Sequence, residues 1–413
     1  MIHILSSRYH QEFSGLIEGV RFGIAADRDS HSSAPLGPVL LIKAVTITLK
    51  YFVRLRTFRL LFWKTQSPEY LWYGVQIADD PAHPGTLWSI AESDEELTAV
   101  ARLLKTEQLS VFLFNEEGIN VASARMRIRF AEPNGISIIT EAKPAPEGTS
   151  THSHTFIESL LAPGSSMKLH EATPAEPCEW REVQARLLTQ RLSSCDLAMM
   201  TGEEGDQQEL LAEWLMDALG APVSVRNPIV HEQKGRPREL SDLLLSHEYG
   251  SFLLESKALA IIARDVLPDR LTLRRQVLKH LNKAISQLTG ACANIRRGLR
   301  ITDQVGRDLA MTRDQPIHCI VLVPDLDIIA DCDMLVPKLS LSILQKAKGF
   351  LNLLDIVELR RLVHNARHMA SNSKLLTPIM AFDGILLKRF ELISTQRTPD
   401  VRFSMTLGTP NDH

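Results

Sequence analysis

The 413-residue sequence predicts a chain of two domains, a β-rich α+β domain followed by an α/β domain with a mixed central sheet. Three observations predict it. At roughly 100–200 residues per domain, the length calls for two or three domains, each with a sizeable core. Residues 1–140 carry mostly strand patterns, whereas from residue 179 onward helix and strand patterns alternate. Between them, residues 141–178 are rich in Pro, Ser, Thr and Gly and read as a linker with a short helix near 157–161.

The elements follow in order. Residues 45–56 are rich in β-branched and aromatic side chains and predict a strand, as do 71–77. Asp79-Asp80-Pro81 marks a turn. Ser93-Asp-Glu-Glu96 is a capping box that opens a helix to about Leu104. A strand over 110–115 ends at the turn Asn115-Glu-Glu-Gly118, and 121–130 with 136–140 flank Pro133-Asn-Gly135 as a hairpin. The second domain, 179–413, opens with helices over 179–191 and 207–219, the latter stopped by Gly220. A strand near 223–226 precedes a strand over 239–247, the turn His247-Glu-Tyr-Gly250, and a strand over 251–257. A long helix over 271–297, a strand over 318–324 and a helix over 357–370 complete the pattern.

Composition excludes several classes. Hydrophobic residues make up 44% and charged residues 23%, which is globular rather than disordered usage. A net charge of −3 excludes a protein-wide basic coat, so any polyanion site is a local patch. Five widely spaced cysteines with no CxxC pair argue against a disulfide framework and against zinc. The opening MIHILSSRYHQEF has no basic segment ahead of an apolar run, so no secretory signal is expected. The most apolar stretch, 39–63, is broken by Lys43, Lys50, Arg54, Arg56 and Arg59. A bilayer core needs about 20 nearly uncharged residues. The expectation is a cytoplasmic protein in a reducing compartment, with no membrane partner.

The chemical signal is Asp242 on one strand and Glu255-Ser-Lys257 closing the next. Strand side chains alternate, so Glu255 and Lys257 face the same way. An even number of unpaired turn residues puts Asp242 on that face, and an odd number puts it on the other unless a bulge corrects the register. Two carboxylates beside an ammonium group suit Mg²⁺ or Mn²⁺, which accept oxygen ligands and keep positions for water and phosphate. Such a metal lowers the pKa of bound water, and the lysine can steady developing charge. The triplet itself is common: Glu141-Ala-Lys143 and Glu232-Gln-Lys234 repeat it. The first lacks an upstream Asp and runs into Pro144, and the second sits in a polar loop. A plain surface salt bridge between Glu255 and Lys257 is the bland alternative.

These residues resemble the PD-(D/E)xK nuclease superfamily, which has the restriction-endonuclease-like fold. The resemblance runs over about 200–330 and is clearest at Glu239-Leu-Ser-Asp242, Phe252-Leu-Leu-Glu255-Ser-Lys257 and Lys283-Ala-Ile-Ser-Gln287. It implies Asp242 and Glu255 as metal ligands, Lys257 as an aid to hydrolysis, and Gln287 as a supporting side chain on the next helix. No proline precedes Asp242, a departure that is common in the superfamily. Members often add an acid from the preceding helix, where Glu209 and Glu213 are the candidates and Glu209 is preferred. Glu239 reads as an outer acid. The implied activity is hydrolysis of nucleic-acid phosphodiesters, DNA before RNA. The alternative is an inactive module that binds nucleic acid or protein, and a homodimer or partner protein held through the N-terminal domain stays open.

The segment after the motif is basic. Arg270, Arg274, Arg275, Lys279, Lys283, Arg296 and Arg297 stand against Asp265 and Asp269 as acids. Within it, Arg274, Arg275, Lys279 and Lys283 are the candidates for phosphate-backbone contact, with a solvated helix face as the alternative. Other candidates carry less. His152 and His154 lie in the linker, His364 and His368 lack the glutamate of a zinc-protease helix, and Asp325, Asp327, Asp331 and Asp333 lack a calcium-loop pattern.

Overall fold

The computed structural model describes residues 19–24, 37–65, 68–80, 84–132, 142–146, 149, 169–189, 194–232, 235–329 and 335–396. They fall into two units, one drawn from 1–185, 198–201 and 261–269, the other from 186–197, 202–260 and 270–413. The fold is mixed α+β, and among the described residues no helix is long and apolar enough to cross a membrane.

The first unit is built on a nine-stranded sheet. Its strands are β1 (Gly19–Ile24), β2 (Pro38–Lys43), β3 (Arg59–Lys64), β4 (Leu71–Ile77), β5 (Gly85–Ile90), β6 (Gln108–Phe114), β7 (Asn120–Phe130), β8 (His170–Pro174) and β9 (Arg181–Glu182). The path runs β1-β2-β6-β7-β8-β3-β4-β5, with β9 beside β7, and only the β2–β6 join along the path is parallel. Two helices accompany the sheet, α1 (Thr46–Leu55) and α2 (Asp94–Thr106). The capping box holds as expected: Ser93 Oγ accepts the Glu96 N–H at 3.3 Å, and Glu96 in turn accepts the Glu92 N–H at 2.9 Å.

Three expectations are corrected here. Residues 45–56, expected as a strand, form helix α1. Its N-terminal Thr46 donates both its N–H and its hydroxyl to Glu116 Oε2 at 2.7 Å, and Ile47, Tyr51 and Phe52 are buried. That distant cap and burial override the β propensity of the segment. The expected linker contributes β8, which sits between β7 and β3 in the sheet, so the first unit runs on to residue 185. The expected helix over 179–191 is instead β9 and the start of a hairpin, β10 (Ala185–Leu188) with β11 (Ser194–Leu197). Trp180 Nε1 donates to Phe52 O at 3.1 Å, which ties this stretch to α1. The expected turn and strand over 133–140, the helix at 157–161, His152 and His154 lie outside the described residues.

The second unit carries the candidate chemistry. Helix α3 (Glu204–Asp217) leads to β12 (Val223–Arg226), and Gly220 at φ +68° ends the turn after the helix, a left-handed conformation that glycine adopts freely. Then come β13 (Ile229–His231), β14 (Arg238–Glu239), β15 (Leu243–His247), β16 (Gly250–Ser256), α4 (Arg270–Arg296), β17 (Arg300–Thr302) and β18 (Ile317–Leu322). Helices α5 (Leu335–Ala347), α6 (Ile356–Ser371) and α7 (Pro378–Gln396) surround β19 (Gly349–Leu354). The main sheet has the order β12-β15-β16-β18-β19, antiparallel through β16 and parallel beyond it. A small sheet, β14-β13-β17, stands apart from it.

Strand alternation sorts the two faces of the main sheet. Cys319 meets Cys292 of α4 at 3.3 Å, whereas its neighbour His318 hydrogen-bonds Asp383 of α7 at 3.0 Å. Helix α4 therefore covers one face and α7 the other. Every residue of β15 and β16 is buried, which explains why both read as continuous apolar runs.

Candidate functional site

The site starts from a tight hairpin. His247 pairs with Gly250, so only Glu248 and Tyr249 stay unpaired in the turn. The count is even, and Leu243 therefore pairs with Leu254. Continued one step, that register would set Asp242 opposite Glu255. The strand itself begins at Leu243, one residue after Asp242, while Glu239 belongs to β14 in the small sheet. The expected single strand over 239–247 is thus two segments joined by a bend. That bend is pinned: the Asn227 N–H donates to Asp242 O at 2.8 Å, and the Leu240 N–H donates to Pro228 O at 2.8 Å.

Both carboxylates meet at one ammonium group. Lys257 Nζ lies 2.6 Å from Glu255 Oε2 and 3.8 Å from Asp242 Oδ2. The other partner of Asp242 Oδ2 is the Ser256 N–H, at 2.5 Å. Lys257 is itself held by its backbone N–H, which donates to Leu322 O of β18 at 2.9 Å. The Glu255 side chain is 2% exposed and that of Asp242 14%, so this is a nearly dry pocket rather than a surface ion pair.

The charge in the pocket is unbalanced. Burial, then the Asp242 charge, pushes the Glu255 carboxyl up to about 7, against the opposing pull of Lys257. Asp242 is raised as well, by burial, with Lys257 and the Ser256 N–H working the other way. On α3, Glu209 is pushed up to about 7 by burial, then by Asp242, Asp206 and Glu239. Glu209 is therefore electrostatically coupled to the cluster. Glu213, one helical turn on, pairs instead with Arg226 at 3.9 Å. Glu239 sits exposed at the rim, and its charge raises both Glu209 and Glu255.

Other expected residues are not drawn in. Gln287 stands exposed on α4, with no hydrogen bond to the acidic pocket. Arg275, Lys279 and Lys283 are exposed and four residues apart, which gives them one helix face, while Arg274 is half-buried. Arg296 is engaged elsewhere, donating to Ala347 O at 3.2 Å and Lys348 O at 3.0 Å. Asp325 accepts the Asp327 N–H at 2.9 Å, and Asp331 and Asp333 lie outside the described residues. His364 is exposed on α6 as expected, and His368 lies on the same helix beside Asn372.

One contact gave no sequence signal. Gln208 Oε1 accepts the Ser256 hydroxyl at 3.0 Å, and its amide donates to Val323 O at 3.4 Å. Gln208 belongs to no recognisable motif and Ser256 is only the middle residue of the Glu255-Ser256-Lys257 triplet, so only the folded arrangement shows the link.

Among the described residues, no group of three or more His, Cys, Asp or Glu side chains is already arranged around a common metal position. Lys257 instead satisfies Glu255 directly. The donor set still fits a hard divalent cation: acidic oxygens from Asp242 and Glu255, one of them almost fully buried, outnumber the single ammonium beside them. The chain matches no protein-family model, no curated protein and no solved structure, so the chemistry is argued from this pocket alone.

Proposed function

We propose that the protein is a Mg²⁺-dependent nuclease that hydrolyses nucleic-acid phosphodiester bonds, with DNA as the favoured substrate. The observation that carries the reading is the convergence of Asp242 and Glu255 on Lys257 Nζ in a nearly dry pocket. A mixed central sheet with flanking helices is what the PD-(D/E)xK resemblance implies, and the five-stranded sheet of the second unit supports the reading at that level. Asp242 and Glu255 would hold the metal, with Glu209 of α3 electrostatically coupled to Asp242. When bound, the cation would lower the pKa of a coordinated water and neutralise phosphate charge.

The chain's own residues do the rest. Glu255 is fixed by strand pairing, and Asp242, one residue outside the paired hairpin, is held by the Asn227 N–H on its carbonyl and the Ser256 N–H on its carboxylate. Lys257 supplies a fixed positive charge beside the reacting phosphate, where it can stabilise the negative charge that develops during attack. The exposed face of Arg275, Lys279 and Lys283 offers sequence-independent contact to the phosphate backbone.

The test is incubation of the full chain with plasmid and with single-stranded DNA, with and without Mg²⁺ and with a chelator. Cleavage that needs Mg²⁺ and stops with the chelator is expected. Binding of DNA without cleavage would favour the non-catalytic module. Neither binding nor cleavage would remove the nuclease reading.

A further inference from the structure

Under α7, at the hairpin end of β15 and β16, the main sheet holds a second titratable cluster. The pairs His247–Gly250 and Phe252–His318 lie side by side, so strand alternation puts all four residues on the face that α7 covers. Both imidazoles stack on the Phe252 ring, at centroid distances of 5.5 and 5.4 Å. One carboxylate, that of Asp383 on α7, serves the pair. His318 Nε2 donates to Asp383 Oδ1 at 3.0 Å, whereas His247 Nε2 stands 3.9 Å from the same oxygen, beyond hydrogen-bonding reach. Gly250 leaves room for this approach: a Cβ there would lie 3.3 Å from Asp383 Oδ1 and 3.6 Å from His247 Nε2. Both histidines are buried, and neither ring nitrogen of His247 has a hydrogen-bond partner among the described residues. A buried polar group left unpaired is costly and uncommon, and apolar packing alone does not account for it.

We propose that this cluster is a proton-operated catch on α7: the helix is seated while His247 is neutral and lifts from the sheet when His247 takes up a proton. The neutral ring suits a dry niche between Phe252 and the edge-on ring of Tyr249. The imidazolium does not, because the nearest carboxylate is already engaged by His318 and water is shut out. The charged groups facing His247 are Asp383 from α7, His318 from β18 and Glu248 from its own turn. Burial lowers the affinity of His247 for a proton most, Asp383 raises it, His318 lowers it and Glu248 raises it, and the balance holds the ring below its ordinary 6.5. For a lowered histidine, stability is present in full above the unfolded pKa and is lost as pH falls from there through the folded pKa. The effect runs opposite to that of Glu255. Glu255 and Lys257 share the other face of the sheet with Cys319, so the inference does not rest on the nuclease reading.

Hydrogen–deuterium exchange of the full chain in chelator, followed peptide by peptide and corrected for the intrinsic effect of pH, tests the catch. Between pH 7 and pH 5.5 the opening equilibrium of α7 is expected to rise about 3–10-fold, within the tenfold per pH unit that one proton allows. Helix α4, on the other face, is expected to change less than about twofold. His247→Phe keeps a flat ring on Phe252 and takes no proton, and in this variant α7 opening is expected to vary less than about twofold over the same range. His247→Leu is the second non-titrating variant, and the wild-type contrast between α7 and α4 carries the test if neither folds. A wild-type α7 whose opening stays flat or falls toward pH 5.5 would overturn the catch. So would an equal rise in α4, or an equal rise in the His247 variants.

Discussion

Replacing Lys257 with alanine is expected to lower Mg²⁺-dependent DNA cleavage by about 10²–10³-fold, the usual effect of removing one charge-stabilising donor from an active site. The reason is local. Lys257 Nζ is the cation that faces both carboxylates, at 2.6 Å from Glu255 and 3.8 Å from Asp242. The backbone there is held independently, because the Lys257 N–H donates to Leu322 O at 2.9 Å. Truncation should therefore spare the strand while removing the charge. Single-turnover cleavage at saturating Mg²⁺ checks this, with circular dichroism as the control for folding. A variant that cuts within threefold of the wild-type rate would show that the ammonium group takes no part in the chemistry.

The second large effect is on stability and follows from the strained charge of Glu255. Its carboxyl is raised from an ordinary 4.5 to about 7, chiefly by burial and then by Asp242. The folded chain thus holds this proton more tightly than the unfolded chain does. For a raised acid, the native state is favoured below the unfolded pKa and loses stability as pH climbs from there through the folded pKa. At about 1.4 kcal/mol per pH unit, the penalty above pH 7 is on the order of 3 kcal/mol. Glu255→Gln carries no such charge. Without metal, the variant is expected to exceed the wild type in stability at pH 8 and to show a flatter profile between pH 5 and pH 8. Urea unfolding at both pH values, in chelator, measures it. Added Mg²⁺ should restore stability to the wild type at pH 8 and not to the variant, because ligand binding to the native state alone is stabilising. A variant less stable than the wild type at pH 8 would mean that the Glu255–Lys257 pair outweighs the burial of the charge.

The pocket was legible in the sequence because its determinants are local. Hairpin, turn and the Glu255-Ser256-Lys257 triplet lie within 16 residues of Asp242, and a two-residue turn fixes the register. Helices α2, α3, α4 and α6 were equally readable, since caps, stop signals and apolar periodicity are written in adjacent residues. What escaped the sequence depends on distant partners. Helix α1 looks like a strand until Glu116, 70 residues away, caps Thr46. Strand β8, His-Glu-Ala-Thr-Pro, is short and polar, and it becomes a strand because β7 and β3 leave a place between them. Within the site, Glu209 and Glu213 share one helix four residues apart, and their spacing alone does not separate them. The structure separates them by partner: Glu209 feels Asp242, and Glu213 pairs with Arg226. Only the resemblance implies Gln287, and that residue stands exposed on α4.

The most direct test of the central claim is anomalous diffraction from crystals soaked in Mn²⁺. The account predicts one strong peak within metal–oxygen bonding distance of the Asp242 and Glu255 carboxylates, with Lys257 Nζ moved off Glu255. A Mn²⁺-soaked crystal with no peak there, and with the Lys257–Glu255 ion pair unchanged, would contradict it.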